Sequence, residues 1–218
     1  MALNYRTVTP LLRSTLETLM AEPLFAPFRL VGGTNLSLRF GHRLSDDIDM
    51  FTDAEYRSLD YRVFEDYLKK RFPYYYCIDD SSIVGFGRGY YVGNSKDDFV
   101  KVDLMYADPF LSEPEMIDGI RMASVEDIAA MKLNVISRGG RKKDFWDLHH
   151  LLSLYSIPQL LSFHAERHPW EHDEKELMFK IVDFTAADDM PDPRCLMNKK
   201  WDDIKLDIIE KITDLTNK

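Results

Sequence analysis

Aspartate is disfavoured in strands, yet Asp47-Ile48-Asp49 and Lys101-Val102-Asp103 both lie in runs with the alternation of a strand. A period of two puts Asp47 and Asp49 on one face. Two carboxylates that close repel unless something positive sits between them. Asp103, flanked by Val102 and Leu104, likewise faces one side of a sheet. Upstream, the apolar run Phe28-Arg29-Leu30-Val31 ends in Gly32-Gly33-Thr34. The pattern is a strand entering a glycine turn and a helix, a strand with paired carboxylates, and a third carboxylate on another strand. Such an arrangement can hold two divalent cations against a triphosphate. Gly32 and Gly33 let phosphate approach the backbone N–H groups, and Thr34 caps the helix and donates to phosphate. Asp47 and Asp49 offer hard oxygens to Mg²⁺, bridging two ions ~3.5–4 Å apart. Asp103 would bind the second ion and act as general base. Each piece alone is weak: Asp-x-Asp is common, and Gly-Gly-Thr is equally a plain turn.

Around these segments the chain reads as two parts. Thr9 to Met20 is predicted helical, followed by a strand at Phe28–Val31, a helix from Thr34 to Phe40, a strand at Ile48–Thr52 and a long helix from Glu55 to Phe72. Strands are predicted at Tyr74–Ile78, Ile83–Val92, Phe99–Tyr106 and Ile117–Ala123. From Ser124 the pattern turns helical: Ser124 to about Arg138, Asp144–Leu154, a helix starting at Pro158, Glu174–Ala187 and Trp201–Thr216. The expected organisation is an α/β part over 1–123 and a helical part over 124–218, packed around a cleft.

Lys132 stands on an otherwise apolar helix face with Ile128, Met131 and Val135. It reads either as a phosphate contact or as a snorkelling surface lysine. Arg138, Arg141, Lys142 and Lys143 form a basic turn. The turn could grip triphosphate or an RNA backbone, or simply place cations at a helix C-terminus. Asp144 and Asp147 either cap the next helix or, for Asp144, orient Lys132. His149, His150, His164, His168 and His172 have no cysteine or triad to complete a zinc site. Tyr74-Tyr75-Tyr76 and Tyr90-Tyr91 could stack bases, though such residues are more often cross-strand pairs.

The 218 residues carry a net charge of −9, which argues against an overall basic nucleic-acid coat but allows a local patch. Cys77 and Cys195 fit no disulfide framework or metal spacing and read as free thiols in a reducing cytoplasm. No stretch approaches the ~20 apolar residues of a membrane span.

The segment Phe28–Phe51, with its Val-Gly-Gly-Thr and Ser-Asp-Asp-Ile-Asp, resembles the first motif of the nucleotidyltransferase AbiEii/AbiGii toxin family. Lys101-Val102-Asp103-Leu104 resembles that family's third-carboxylate strand. Ser124–Leu133 with Arg138 and Lys143–Leu148 resembles its helical motif. The resemblance covers about Phe28 to Leu152; no motif is recognised after Ser156. It implies an α+β fold: a polymerase β-like nucleotidyltransferase mixed sheet with flanking helices, then a C-terminal helical bundle. It also implies the toxin half of a toxin–antitoxin pair linked to abortive infection, an NTP substrate, two Mg²⁺ ions and, for some members, a transfer RNA acceptor. The expected catalytic residues are Asp47, Asp49, Asp103 and Lys132, with metal on the three aspartates. The expected nucleotide-binding residues are Gly32, Gly33, Thr34, Ser45, Lys132 and Asp144. Arg138, Arg141, Lys142 and Lys143 are expected to meet an RNA acceptor, although the short basic element argues against a long RNA footprint. A protein or small-molecule acceptor, or a non-catalytic nucleotide-binding module, are the alternatives.

Overall fold

Thr9 accepts a hydrogen bond from the Leu12 N–H and caps α1 (Pro10–Ala21), with Pro10 at the first position, where a missing N–H is harmless. Leu12, Leu16 and Leu19 turn that helix's apolar stripe into the core. In the computed structural model, which describes residues 2–78 and 84–216, β1 (Arg29–Leu30) then runs into α2 (Gly32–Phe40), followed by β2 (Asp47–Thr52). The predicted helix from Glu55 instead begins at Tyr61. Arg57 adopts a left-handed φ of 68°, and Asp60 caps α3 (Tyr61–Arg71) by accepting from the Arg62 N–H.

β3 (Tyr74–Cys77), β4 (Gly87–Ser95) and β5 (Asp98–Tyr106) follow. The predicted start of the fourth strand at Ile83 lies outside the described residues. The strand expected over Ile117–Ala123 is a hairpin, β6 (Glu115–Ile117) and β7 (Ile120–Met122). Asp118 and Gly119 both have positive φ, 51° and 80°. An Asp-Gly pair is well suited to such a two-residue turn.

Ser124 caps α4 (Val125–Ser137). After it come α5 (Lys142–Leu151), α6 (Ile157–Arg167), α7 (Glu174–Lys180), α8 (Thr185–Asp188) and α9 (Trp201–Thr216). The single helix predicted over Glu174–Ala187 is thus interrupted. Asp183 accepts from Lys180 Nζ at 3.1 Å and from the Thr185 N–H at 3.3 Å, and the chain restarts there.

The strands form one mixed sheet in the order β3-β4-β5-β2-β1-β7-β6. β2 and β5 are parallel and in register, with Asp47 opposite Lys101 and Asp49 opposite Asp103. β1 pairs antiparallel with β2 and parallel with β7. In β2 and β5, Ile48, Met50, Val102 and Leu104 are buried, so the alternate residues Asp47, Asp49, Lys101 and Asp103 share the opposite face. One core joins α1, α3 and the sheet. A second joins α4–α9, and takes in Val31, just before α2, and Leu36 of α2. The fold is α+β, and α2 is the element that packs against both halves.

Candidate active site

A cavity of about 670 Å³ lies between the carboxylate face of the sheet and the helices α4 to α6. Its lining includes Gly32, Gly33, Ser45, Asp47, Asp49, Lys132, Arg138, Arg141, Lys143 and Asp144. Most of the candidates separated by over a hundred residues of sequence therefore meet on one surface. Asp103 stands beside it, one strand further along the sheet from Asp49.

The two glycines have a reason beyond room for a ligand. Gly32 has φ +68°, and a Cβ there would run into the Asp49 carboxylate, lying 3.1 Å from its Cγ. A Cβ on Gly33 would overlap the guanidinium of Arg43. Both positions thus let functional side chains close down onto the helix N-terminus. Val31 is the N-cap of α2 and makes no side-chain cap bond. Thr34, expected to be the cap, sits inside the helix. Its Oγ1 hydrogen bonds the Asp47 carbonyl oxygen and Ser45 Oγ, the latter at 2.8 Å. Thr34 is fully buried, so its hydroxyl braces the start of β2 and does not face the cleft as expected, while its partner Ser45 lies in the cavity wall. Uncapped N–H groups at a helix N-terminus attract anions.

The three carboxylates are electrostatically coupled. Burial, then the Asp103 and Asp47 carboxylates, push the Asp49 pKa up to about 6. Lys101 bonds Asp103, and Lys143 reaches Asp47 Oδ2 at 3.4 Å. Among the described residues no three His, Cys, Asp or Glu side chains are gathered as ligands of one ion. Two lysines lie on the oxygens that a cation would take. The donor set nevertheless suits a hard divalent cation: three neighbouring carboxylates, whose mutual repulsion at Asp49 a cation would relieve.

Behind this face lies a buried charge network. Lys132 Nζ sits 2.6 Å from Asp144 Oδ1 and 2.7 Å from Asp147 Oδ2. Burial alone would lower its pKa, but Asp147 and Asp144 hold it above the ordinary lysine value. Asp144 also accepts from the Arg141 backbone N–H at 3.0 Å, closing the first turn of α5. It therefore both caps the helix and orients Lys132. Its two oxygens are taken up by Lys132 Nζ, the Arg141 backbone N–H and Arg141 Nε, which leaves neither oxygen unpartnered toward the cavity. Asp147 accepts from Arg43 Nε at 2.7 Å and Nη2 at 2.8 Å, and pairs with His42 Nε2 at 2.8 Å. Burial disfavours its charge, but Arg43 and Lys132 hold its pKa well below the carboxylate norm. His42, Arg43 and this role of Asp147 escape a sequence reading. The available signal is the Asp144–Asp147 spacing, which places two carboxylates on one face of a helix otherwise filled by Phe145, Trp146 and Leu148.

The basic turn divides. Arg138 is exposed and pairs with Glu171 at 2.7 Å. Arg141 and Lys143 reach the cavity wall. Lys142 does not belong to the rim. It is buried, bonds Asp192 at 2.9 Å and the Asp188 carbonyl at 3.2 Å, and lies over Trp201. It ties α5 to the C-terminal segment, so its expected contact with RNA is withdrawn.

A glycine-opened helix N-terminus thus faces a row of strand carboxylates across a charged cleft. Three solved structures share this fold. JHP933 of Helicobacter pylori aligns over 94% of this chain and 89% of its own, with a TM-score of 0.60 at 19% identity. A putative nucleotidyltransferase of H. pylori gives 0.60 at 20% identity, covering 94% and 92%. MenT4, a nucleotidyltransferase toxin of Mycobacterium tuberculosis H37Rv, gives 0.51 at 14% identity, covering 88% and 76%. An uncharacterised protein of Aquifex aeolicus (strain VF5) is 33% identical over 177 residues, 77% of this chain and 72% of that protein. The model of the family described as nucleotidyl transferase AbiEii toxin, type IV toxin–antitoxin system, matches residues 14–216. The chain belongs to that AbiEii nucleotidyltransferase toxin family.

Proposed function

We propose that this toxin-family nucleotidyltransferase moves a nucleoside monophosphate from an NTP to an acceptor hydroxyl on RNA, transfer RNA among the candidates, in a Mg²⁺-dependent reaction. The observation that carries this reading is the in-register pair Asp49 and Asp103, with Asp47 beside them and the open N-terminus of α2 against them. The α/β part over 1–123 would supply these groups, and the helical part over 124–218 the opposite wall. A cognate antitoxin and a cytoplasmic site of action belong to the same reading.

Asp47, Asp49 and Asp103 would hold two Mg²⁺ ions. Bound metal would neutralise triphosphate charge and lower the pKa of the attacking hydroxyl. The backbone N–H groups at Gly32 and Gly33 would bind phosphate oxygens. Arg141 and Lys143 would meet the triphosphate or the RNA backbone from across the cleft, with Arg138 at its edge. Lys132 stays charged between Asp144 and Asp147 and would hold the start of α5, with Arg141 and Lys143, against the phosphate end. The acceptor oxygen would attack the α-phosphorus, Asp103 would take its proton, and the bond to the β-phosphate would break, with pyrophosphate leaving with the electron pair. Positioning and charge neutralisation supply the rate.

The test is incubation with each radiolabelled NTP, Mg²⁺ and total bacterial RNA or protein, followed by a gel. Label should enter RNA. Label in protein would move the acceptor to a polypeptide. No label anywhere, with NTP bound, would leave a nucleotide-binding module.

A further inference from the structure

We propose that the exposed face of β3, β4 and β5 is a platform on which the single-stranded end of an RNA acceptor stacks its bases, delivering its terminal hydroxyl to Asp103. This rests on the nucleotidyl-transfer reading above and adds the surface that the acceptor uses. The face is continuous with the carboxylates. Asp47 lies opposite Lys101, Lys101 opposite Tyr91, and Tyr91 opposite Tyr76. With neighbouring strands ≈ 4.7–4.9 Å apart, that row runs roughly 14–15 Å outward from Asp47. The next row runs from Asp49 to Asp103 and Gly89. On the far side, Phe99 lies opposite Gly93 and Gly93 opposite Tyr74. All these residues share one side of the pleat.

The chemistry of this face is aromatic and unusually bare. Tyr76 is 52% exposed, and Phe99 and Ile78 are each 41% exposed. Tyr76 and Tyr91 stack at 6.2 Å and 16°, Tyr91 meets Phe99 at 4.8 Å, and Tyr74 meets Phe99 at 6.0 Å. A cross-strand aromatic cluster accounts for the contacts among the rings, but not for rings left in water beside a catalytic carboxylate. Between them Gly89 lets the Asp103 carboxylate and Ile78 close onto the sheet: a Cβ there would stand 2.7 Å from Asp103 Oδ1 and 2.9 Å from Ile78 Cδ1. An unpaired base offers a π-face to such rings, and sheets bearing aromatic side chains are a known way to hold single strands. Lys101 supplies a cation between the rings and Asp103. A chain at −9 repels a long polyanion. A short end held by its bases needs few phosphate contacts.

The test is fluorescence anisotropy of a short labelled oligoribonucleotide, single-stranded or annealed to its complement, with NTP binding measured on the same proteins. Wild type should prefer the single strand. Tyr76→Ala and Phe99→Ala should each weaken it about 5- to 150-fold. The salt slope should stay unchanged, since no phosphate contact is lost, and NTP binding should be as in wild type. Tyr76→Trp and Phe99→Tyr should retain affinity, which separates stacking from a damaged fold. Wild type that binds no NTP would sink the transfer reading and the platform with it. NTP binding with equal affinity for single strand and duplex, or with a double alanine variant that binds RNA as wild type does, would overturn the platform alone. The face would then be left for a protein partner.

Discussion

Asp147→Asn isolates the buried charge network, because it keeps the side-chain volume and removes one charge. In the folded protein Asp144 and Asp147 balance Lys132 and Arg43, all four buried. The substitution leaves two cations against one carboxylate. Lys132 keeps Asp144 at 2.6 Å, and Arg43 keeps the Leu44 carbonyl at 2.9 Å. Removing one partner of a buried ion pair costs about 3–5 kcal/mol, a large share of a typical total of ~5–15 kcal/mol. At ~2–4 °C per kcal/mol for a chain of this size, Tm should fall by about 6–20 °C. Circular dichroism during thermal and urea unfolding measures this. The pH dependence adds a second check. The Asp147 pKa is depressed on folding, so its stabilisation is present above the unfolded carboxylate value of ~3.9 and is lost as pH falls towards the folded one. The gap between wild type and variant should therefore be constant near neutrality and narrow below about pH 4. A loss under about 1 kcal/mol at neutral pH, or a gap that widens in acid, would refute this account of the network.

Gly32→Ala should abolish transfer and lower stability by about 1–2 kcal/mol, because φ +68° is strained for alanine and the new methyl displaces the Asp49 carboxylate; unfolding melts and labelled-NTP transfer read the two effects. For Asp103→Asn, kcat should fall while KM for NTP changes little, as expected for a group that acts in the transition state; a loss confined to KM would reduce Asp103 to a ligand-binding role. Replacing Arg141 and Lys143 by Ala should weaken RNA binding and flatten its salt dependence by roughly one unit of slope per lost phosphate contact, with Lys142 left intact because it anchors the C-terminal segment.

The sequence made legible what is local or periodic. Alternation placed Asp47, Asp49 and Asp103 on strands, Ser124 announced its helix, and the apolar face of Leu12, Leu16 and Leu19 marked the first one. Missed boundaries trace to local chemistry that periodicity ignores: the left-handed Arg57 before the Asp60 cap, the Asp118–Gly119 hairpin turn, and Asp183 between α7 and α8. Position in three dimensions was the harder part. Nothing in Arg141-Lys142-Lys143 says that the middle residue turns inward onto Trp201 while its neighbours line the cleft. Nothing in Gly41-His42-Arg43 says that both side chains converge on Asp147 over a hundred residues away. Such partners are set by packing between α2 and α5, which no window of sequence contains. Thr34 is the instructive case: a hydroxyl after two glycines fits a cap, but α2 begins at Gly32 and the hydroxyl turns to the backbone of β2.

The central claim is that the carboxylate face performs metal-dependent nucleotidyl transfer. Its most direct test is transfer of label from an α-³²P-labelled NTP to RNA by wild type, Asp47→Asn and Asp49→Asn, with and without EDTA, alongside thermal melts of each protein. The account predicts transfer by wild type with Mg²⁺, none with EDTA, and none by either variant, while both variants still melt cooperatively. Near-normal turnover by a folded Asp47→Asn or Asp49→Asn variant, or full activity in EDTA, would contradict it.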